Sequence, residues 1–535
     1  MIILKDINVE KSDLALFSFI IVTIIILFVW LKITDLFFVG YGVTTGLDIY
    51  FKFKQSWDAG LGYLKTLDYY PPLYPLAIAF THFILRPSRF NPYILNSCLV
   101  FLLYFLARRR FKGYKIFIFI LLTTPGFYNF FRFPTMEYAL LTCIFIIVYL
   151  LTSSDLWSLK KLITVGIFVG LGFLIKWTFL AYTFGLFIGY FVYEGVRRKI
   201  GVRYFLLASF LVIFFSILIA GFWYFRVLDV EYFIKSTQND PSSLNLGGRF
   251  LFYIKNLRIV SGDLYFWLFF VGFFISLWEK KWSVILLNVI PLIVGIGILA
   301  MFPHVEIRYL FPFVVYISLL QAEVITAICH HKRVIRFIVF SIYLVSGILN
   351  MYSSFLSIPN FGGMPEKLKV SDYKIFSEKP SWFQIFMEEK KELGRESLII
   401  ATAPFNNCSN PNACCENIRY LLKLYRARRK GLGIDIDIIG FDSLEFKVFP
   451  YRIKDIDLLI VTRDVIYGDE QKFARWREWV RRFNAPFEVK YRELFIEDPS
   501  YRNLILSNFK FVRKLDFISG DDILLFVRKD LVEQK

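Results

Sequence analysis

Long runs of apolar residues dominate the first two thirds of the chain. They cover roughly residues 14–34, 92–107, 115–131, 138–153, 161–175, 177–194, 204–225, 263–278, 282–301, 309–329 and 334–357. Crossing the hydrocarbon layer takes roughly 20 apolar residues in a helix. The pattern predicts about eleven transmembrane helices. The first run follows the charged stretch KDINVEKSD, and no small-residue cleavage site comes after it. It therefore reads as a first transmembrane helix rather than a removed signal.

A shorter apolar stretch, PPLYPLAIAFTHFIL, occupies residues 71–85. It falls short of a straight span and predicts a helix lying in, or dipping into, the outer interface. Pro71 and Pro72 suit the first turn of such a helix.

Beyond about residue 358 the pattern changes. SLIIATA, IDIDII, DIDLLIV and ILLFVR read as strands, while CENIRYLLKLYRARRK and EQKFARWREWVRRF have the spacing of amphipathic helices. The expected fold is a polytopic α-helical membrane domain over residues 1–358, with a catalytic first outer loop at 35–91. A soluble α/β domain follows over 359–535.

Basic clusters set the orientation. RRRFKGYK (108–115), KK (160–161), RRKIGVR (197–203), EKK (279–281) and HHKRVIR (330–336) all fall on the N-terminal side of an eleven-span scheme. The positive-inside rule makes that side cytoplasmic. The expectation is a multi-pass plasma-membrane protein with a cytoplasmic N-terminus and an extracytoplasmic C-terminal domain. The outer face then receives residues 35–91, 132–137, 226–262, 302–308 and the tail.

Composition fits this reading, with 56% hydrophobic and 20% charged residues. Lys and Arg number 63 against 44 Asp and Glu, a net charge of +19. Cytoplasmic loops beside anionic lipid account for that excess, and no nucleic-acid partner is expected. Of the six cysteines, Cys98, Cys143 and Cys329 lie in apolar runs as small core residues. Cys408, Cys414 and Cys415 cluster in CSNPNACC. Outside the cytoplasm this is either a disulfide from Cys408 to Cys414 or Cys415, or three thiols. The histidines and cysteines show no metal-ligand spacing, so no metal site is expected. No GxGxxG, GxxxxGK[ST] or GxSxG occurs to support a nucleotide site or a serine hydrolase.

Ionisable groups at the edge of a hydrocarbon layer are costly unless paired or functional. The first outer loop carries Asp48, Asp58 and Asp68 among aromatics and prolines. Glu137 stands at the mouth of a span, five residues after Arg132. Lys176 marks the outer junction of two helices, and Arg226 the outer end of another. PHVEIRYLFP holds His304, Glu306 and Arg308. Carboxylates and cations gathered at one interface suit transfer of a sugar from a lipid phosphate. A carboxylate takes the proton of the incoming hydroxyl. Cations stabilise the charge building on the departing phosphate. An apolar groove between helices holds the isoprenoid tail. Structural readings stand beside these: Glu137 pairing with Arg132, and Lys176 and Arg308 snorkelling to the interface. Asp58 and Asp68 read as surface residues. Tyr70, Tyr74 and Tyr309 suit an interfacial aromatic belt, with Tyr74 kept as a substrate-binding candidate.

In order, GLDIYF, YYPPLYPL, FRFPTMEYALL, VGLGFLIKW, WYFRV and RYLFP resemble the motifs of integral-membrane glycosyltransferases of the GT-C superfamily. The resemblance spans about residues 14–360. It is strongest to the branch of protein O-mannosyltransferases and aminoarabinose transferases that use polyprenyl-phosphate sugars. The chain departs from the family pattern in three places. Asp48 is followed by Ile49 rather than a second acid, the second acid is Glu137 rather than Asp, and YYPPLYP lacks the His and Lys of the longer motif. The resemblance implies transfer of a monosaccharide from a polyprenyl or dolichyl phosphate. The acceptor would be a lipid-linked glycan, a surface polymer or a protein. It implies Asp48 as general base, with inversion, and Glu137 as the second catalytic carboxylate, positioning donor or acceptor. Lys176, Arg226 and Arg308 would bind the donor phosphate, and Arg132, His304 and Tyr74 the substrates. No cofactor is implied. The alternative class is a transporter or flippase of lipid-linked sugars, which would carry its charges near the bilayer midplane. A third is a non-catalytic scaffold.

Overall fold

The computed structural model describes residues 11–34, 41–65, 67, 71–111, 113–132, 134–152, 158–198, 202–226, 245–302, 305–328, 333–358, 368–369, 382–395, 397–402, 435–440, 453–462, 466, 499–516 and 522–533. The helices of the first part are α1 (Lys11–Thr34), α2 (Tyr41–Gln55), α3 (Trp57–Lys65), α4 (Leu73–Leu85), α5 (Asn91–Arg110), α6 (Tyr114–Leu122), α7 (Pro125–Arg132), α8 (Glu137–Leu151), α9 (Leu159–Ile175), α10 (Phe179–Arg198) and α11 (Val202–Arg226). They continue with α12 (Leu246–Ser261), α13 (Asp263–Trp278), α14 (Trp282–Met301), a 3-10 turn (Ile307–Phe313), α15 (Val314–Ile328) and α16 (Arg333–Leu356).

Each of the eleven apolar runs falls on helical residues, the run 115–131 on two helices and the run 309–329 on a 3-10 turn followed by a helix. Among the described residues, five helices are long and apolar enough to cross a bilayer, and two bent pairs also qualify when each is taken as one span. The short run after Pro72 forms α4, with Pro72 as its N-cap and Pro75 in its first turn. Two helical stretches were not expected. The segment expected to be the first outer loop forms α2 and α3, and the segment before residue 263 forms α12.

Both bends have chemical causes. The axis turns by 58° between α6 and α7. Pro125 there lacks the N–H that would reach the carbonyl of Leu121, and its ring crowds that carbonyl. The Thr124 hydroxyl donates to the Leu121 carbonyl instead, at 2.8 Å. Between α12 and α13 the turn is 111°. It is made at Gly262, whose φ of +93° and whose contact with Asn350, 2.6 Å from where a Cβ would stand, both require glycine.

Glycines also set the closest helix contacts. Gly166 and Gly170 of α9 face Val212 and Ser216 of α11, where the Ser216 hydroxyl donates to the Gly166 carbonyl at 3.0 Å. This small-xxx-small spacing lets backbones approach where no hydrophobic drive between helices exists. The pairing of α2 with α4 uses the same device. Gly42 meets Tyr74, Gly46 meets Pro75 and Ile78, and Tyr50 meets His82, so the two helices run parallel in a four-residue rhythm.

At the start of the bundle, Asp13 of α1 pairs with Arg108 at 3.1 Å and Lys115 at 3.2 Å. The N-terminal helix end and the 108–115 cluster thus share one end of the bundle. Glu137, Lys176 and Arg308 gather together elsewhere, as described below.

The C-terminal part carries a five-stranded sheet of order β4-β3-β5-β7-β6, built from β3 (Ser397–Thr402), β4 (Asp435–Gly440), β5 (Leu458–Thr462), β6 (Phe509–Asp516) and β7 (Asp522–Arg528). A two-stranded ribbon precedes it, formed by β1 (Ser357–Ile358) and β2 (Leu368–Lys369). β3 runs parallel to β4 and β5, while β5, β7 and β6 are antiparallel. Buried Asp457 fastens β5 to β3 by accepting from the Ile399 amide at 2.9 Å. Four expected strands are present. β6 was not expected, because FKFVRKLD mixes four charged residues among its apolar positions. The two expected amphipathic helices, 415–430 and 470–483, and the cluster of Cys408, Cys414 and Cys415, lie outside the described residues.

Candidate active site

Glu137 opens α8, where a carboxylate is favoured by the exposed amides and dipole of the helix start. Lys176 follows directly after α9, on extended backbone at the break before α10. Gly172 makes that break possible, because the Phe179 ring folds back to within 2.2 Å of where a Cβ would stand. The Lys176 ammonium donates to Glu137 Oε1 at 2.8 Å. Glu137 is fully buried and the Lys176 side chain is 6% exposed. A buried pair of this kind holds only because each charge is the other's compensation.

Arg308 completes the cluster from the 3-10 turn. Its Nε stands 3.9 Å from Glu137 Oε1, and its side chain is 30% exposed. Arg308 is also gripped by Glu306, which accepts from Nε and, at 2.9 Å, from Nη2. Tyr309 lies under the cluster, with the Lys176 ammonium 4.2 Å from its ring centre. The ring face attracts the cation. The Tyr309 carbonyl accepts from the Tyr182 hydroxyl of α10 at 3.0 Å, which fixes the turn against the bundle. Two cations and two carboxylates are thus arranged from interior to surface, with Glu137 innermost and Arg308 outermost.

Asp48 sits half-buried on α2 and accepts from the Tyr63 hydroxyl of α3 at 3.3 Å. Its helix begins against the same cluster: the Cβ position of Gly42 is 3.4 Å from Met136, the residue before Glu137. Asp48 lies six residues farther along, about 9 Å of helix rise.

The other sequence candidates fall as follows. Arg132 is buried at the end of α7, donating to Asn129 at 2.6 Å and to the Tyr128 carbonyl, with its guanidinium 4.7 Å from the Trp30 ring centre. Glu137 takes Lys176 as its close ion-pair partner. Tyr74 is buried against Gly42 in the α2–α4 contact. Arg226 ends α11, with its side chain outside the described residues, as are His304, Asp68 and Tyr70. Asp58 is exposed at the start of α3. Tyr309 is buried rather than part of a lipid-facing belt. Sequence reasoning passed over Tyr63 altogether, and nothing in the spacing of WDAGLGYLK marks it. Buried Tyr253, Leu257, Val260 and Ser261 do show a helical stripe that would have revealed α12. Among the described residues, no group of three or more His, Cys, Asp or Glu gathers as a metal site would require.

Beside the cluster, α9, α10 and α11 line a half-open apolar cavity of about 720 Å³. Phe173, Trp177, Phe184, Phe187, Val212 and Tyr224 are among its walls. It starts at Trp177, the neighbour of Lys176.

Comparison with known proteins points the same way. The family model described as dolichyl-phosphate-mannose-protein mannosyltransferase matches residues 70–223, a stretch that holds Arg132, Glu137 and Lys176. No curated protein matches the sequence. Two solved structures share the fold. One is the crystal structure of ArnT from Cupriavidus metallidurans bound to undecaprenyl phosphate, with a TM-score of 0.54 and 11% identity, covering 96% of this chain and 97% of that one. The other is ArnT from the same organism in the apo state, with a TM-score of 0.51 and 13% identity, covering 96% of this chain and 98% of that one. The family model thus agrees, over residues 70–223, with the glycosyltransferase resemblance carried by the motifs, and the two structures show that the chain shares the ArnT fold.

Proposed function

We propose that this chain, a membrane protein of GT-C type, transfers a monosaccharide from a polyprenyl phosphate to an acceptor hydroxyl at the outer face of the membrane. Residues 1–358 would form the transmembrane catalytic domain and 359–535 an extracytoplasmic domain. The N-terminus would be cytoplasmic and the membrane the plasma membrane. The observation that carries this reading is the union of Glu137, Lys176 and Arg308 in one cluster beside an apolar cavity. A cationic site next to a cavity with almost entirely apolar walls fits an anionic head on a hydrocarbon tail. The undecaprenyl phosphate named with the fold's ArnT representative is such a molecule.

In the proposed step, Asp48 accepts the proton of the acceptor hydroxyl as its oxygen attacks the anomeric carbon. The bond from that carbon to the phosphate oxygen breaks, and the electron pair leaves with the phosphate. The products are the glycosylated acceptor, with inverted configuration, and polyprenyl phosphate. The proton on Asp48 passes to solvent. Arg308 faces the growing phosphate charge directly, because it is more accessible than Lys176. Lys176 acts from behind by holding Glu137 ionised and in place. Arg132 and Tyr74 shape the substrate space from buried positions, Arg226 joins Arg308 in binding the donor phosphate, and His304 joins the substrate-binding set. The acceptor class is a glycan, a lipid or a protein.

The test is a transfer assay with radiolabelled polyprenyl-phosphate sugars and a membrane lipid extract, wild type beside Asp48→Asn. Release of polyprenyl phosphate by the wild type alone is the expected result. Equal release by both would keep the transferase and move the base to Glu137. Binding of the donor without any release would overturn the reading.

A further inference from the structure

Glu306 takes no part in the transfer step, yet it occupies Arg308 through two nitrogens. A two-pronged grip on carboxylate is the same geometry by which a guanidinium grips phosphate. The local backbone enforces it. Glu306 stands just before the 3-10 turn, in extended conformation with φ −137° and ψ 137°, two residues from Arg308. Glu137 is poorly placed to substitute, since its Oε1 already receives Lys176 at 2.8 Å and lies 3.9 Å from Arg308. The outer pair is also the reachable one. Glu306 is 20% and Arg308 30% exposed, against 0% for Glu137 and 6% for Lys176.

We infer that Glu306 is a positioning residue that discriminates between the donor phosphate and the product phosphate at Arg308. The inference rests on the function proposed above. Glu306 holds the Arg308 fork in line until the donor arrives, and the donor phosphate then shares or takes that fork. The donor is a phosphodiester with one negative charge. Once the anomeric bond breaks, the phosphate is a monoester that carries up to two. A carboxylate on the same guanidinium opposes the second charge more than the first. Glu306 therefore favours release of polyprenyl phosphate and limits product inhibition.

The experiment measures binding of two probes to the full chain in lipid nanodiscs. Undecaprenyl phosphate represents the monoester, and its methyl phosphodiester represents the donor without a transferable sugar. Glu306→Gln is expected to tighten monoester binding by about tenfold while changing diester binding by less than about threefold. Glu306→Asp, which keeps the charge, should retain the wild-type ratio, and Arg308→Gln should weaken both probes. A purely structural role would loosen both probes together and could not raise affinity for one. An unchanged monoester-to-diester ratio in Glu306→Gln, with wild type binding both probes, overturns this inference alone. Failure of wild type to bind either probe overturns the proposed donor class and this inference with it.

Discussion

Lys176 and Glu137 are 39 residues apart in the chain and 2.8 Å apart in the fold, and neither is open to solvent. The contact joins the break between α9 and α10 to the first turn of α8. Removing one partner leaves the other as a buried, uncompensated charge. Lys176→Met should therefore cost about 3–5 kcal/mol of stability. The paired change Lys176→Met with Glu137→Leu should recover most of that loss while leaving transfer absent. Thermal unfolding in detergent and the transfer assay, run on the same four proteins of the double-mutant cycle, check both halves.

Asp48 and Tyr63 make a contrasting pair, since the carboxylate is half-buried and its partner donates from another helix. Asp48→Asn should lower turnover by about 10²–10⁴-fold with melting temperature and donor affinity held. Tyr63→Phe removes only the hydrogen bond that orients the carboxylate. Its turnover should fall by about tenfold or less, with donor KM unmoved. Steady-state kinetics on the two variants separate a reacting group from the group that aims it. Equal losses would assign Tyr63 a direct role.

Gly46 is where α2 comes closest to α4. A Cβ there would stand 2.6 Å from Ile78 and 2.7 Å from the Pro75 carbonyl. Gly46→Ala must push the helices apart, at about 1–3 kcal/mol. Because Asp48 is two residues farther on, turnover should fall more steeply than stability. Ile78→Ala should restore only part of the loss, as the Pro75 carbonyl stays in place. Melting curves and turnover for the single and double variants measure this.

The apolar cavity of about 720 Å³ offers a test of the tail-binding role that leaves the charged cluster untouched. Ala220 of α11 lines it. Ala220→Phe should fill part of the space and raise KM for long-chain polyprenyl donors by about tenfold, with little change for a donor of one or two isoprene units. Burying fewer CH₂ groups at about 0.8 kcal/mol each sets that scale. Equal KM changes for long and short donors would place the tail elsewhere.

The sequence by itself determined where the long apolar helices lie, though not α2, α3 or α12. Each apolar run from 14–34 to 334–357 became helical, because a hydrocarbon surrounding demands unbroken apolar length and a fully hydrogen-bonded backbone. It also marked the residues whose presence near an interface needs explaining, and three of them, Glu137, Lys176 and Arg308, meet in the fold. The tertiary structure decided which charges pair. In the sequence Arg132 is five residues from Glu137 and Lys176 is 39 away, yet Lys176 is the 2.8 Å partner while Arg132 turns to Asn129 and Trp30. The bend at Pro125 re-aims α7, and the α9–α10 break, for which Gly172 makes room, presents Lys176. The 111° corner at Gly262, the docking of α2 on α4 through Gly42 and Gly46, and the grip of Glu306 on Arg308 belong to the same class. Apolar periodicity records, residue by residue, what each position faces. A charge's partner depends instead on distances of a few ångströms between separate helices, and those are set by how the helices cross and bend.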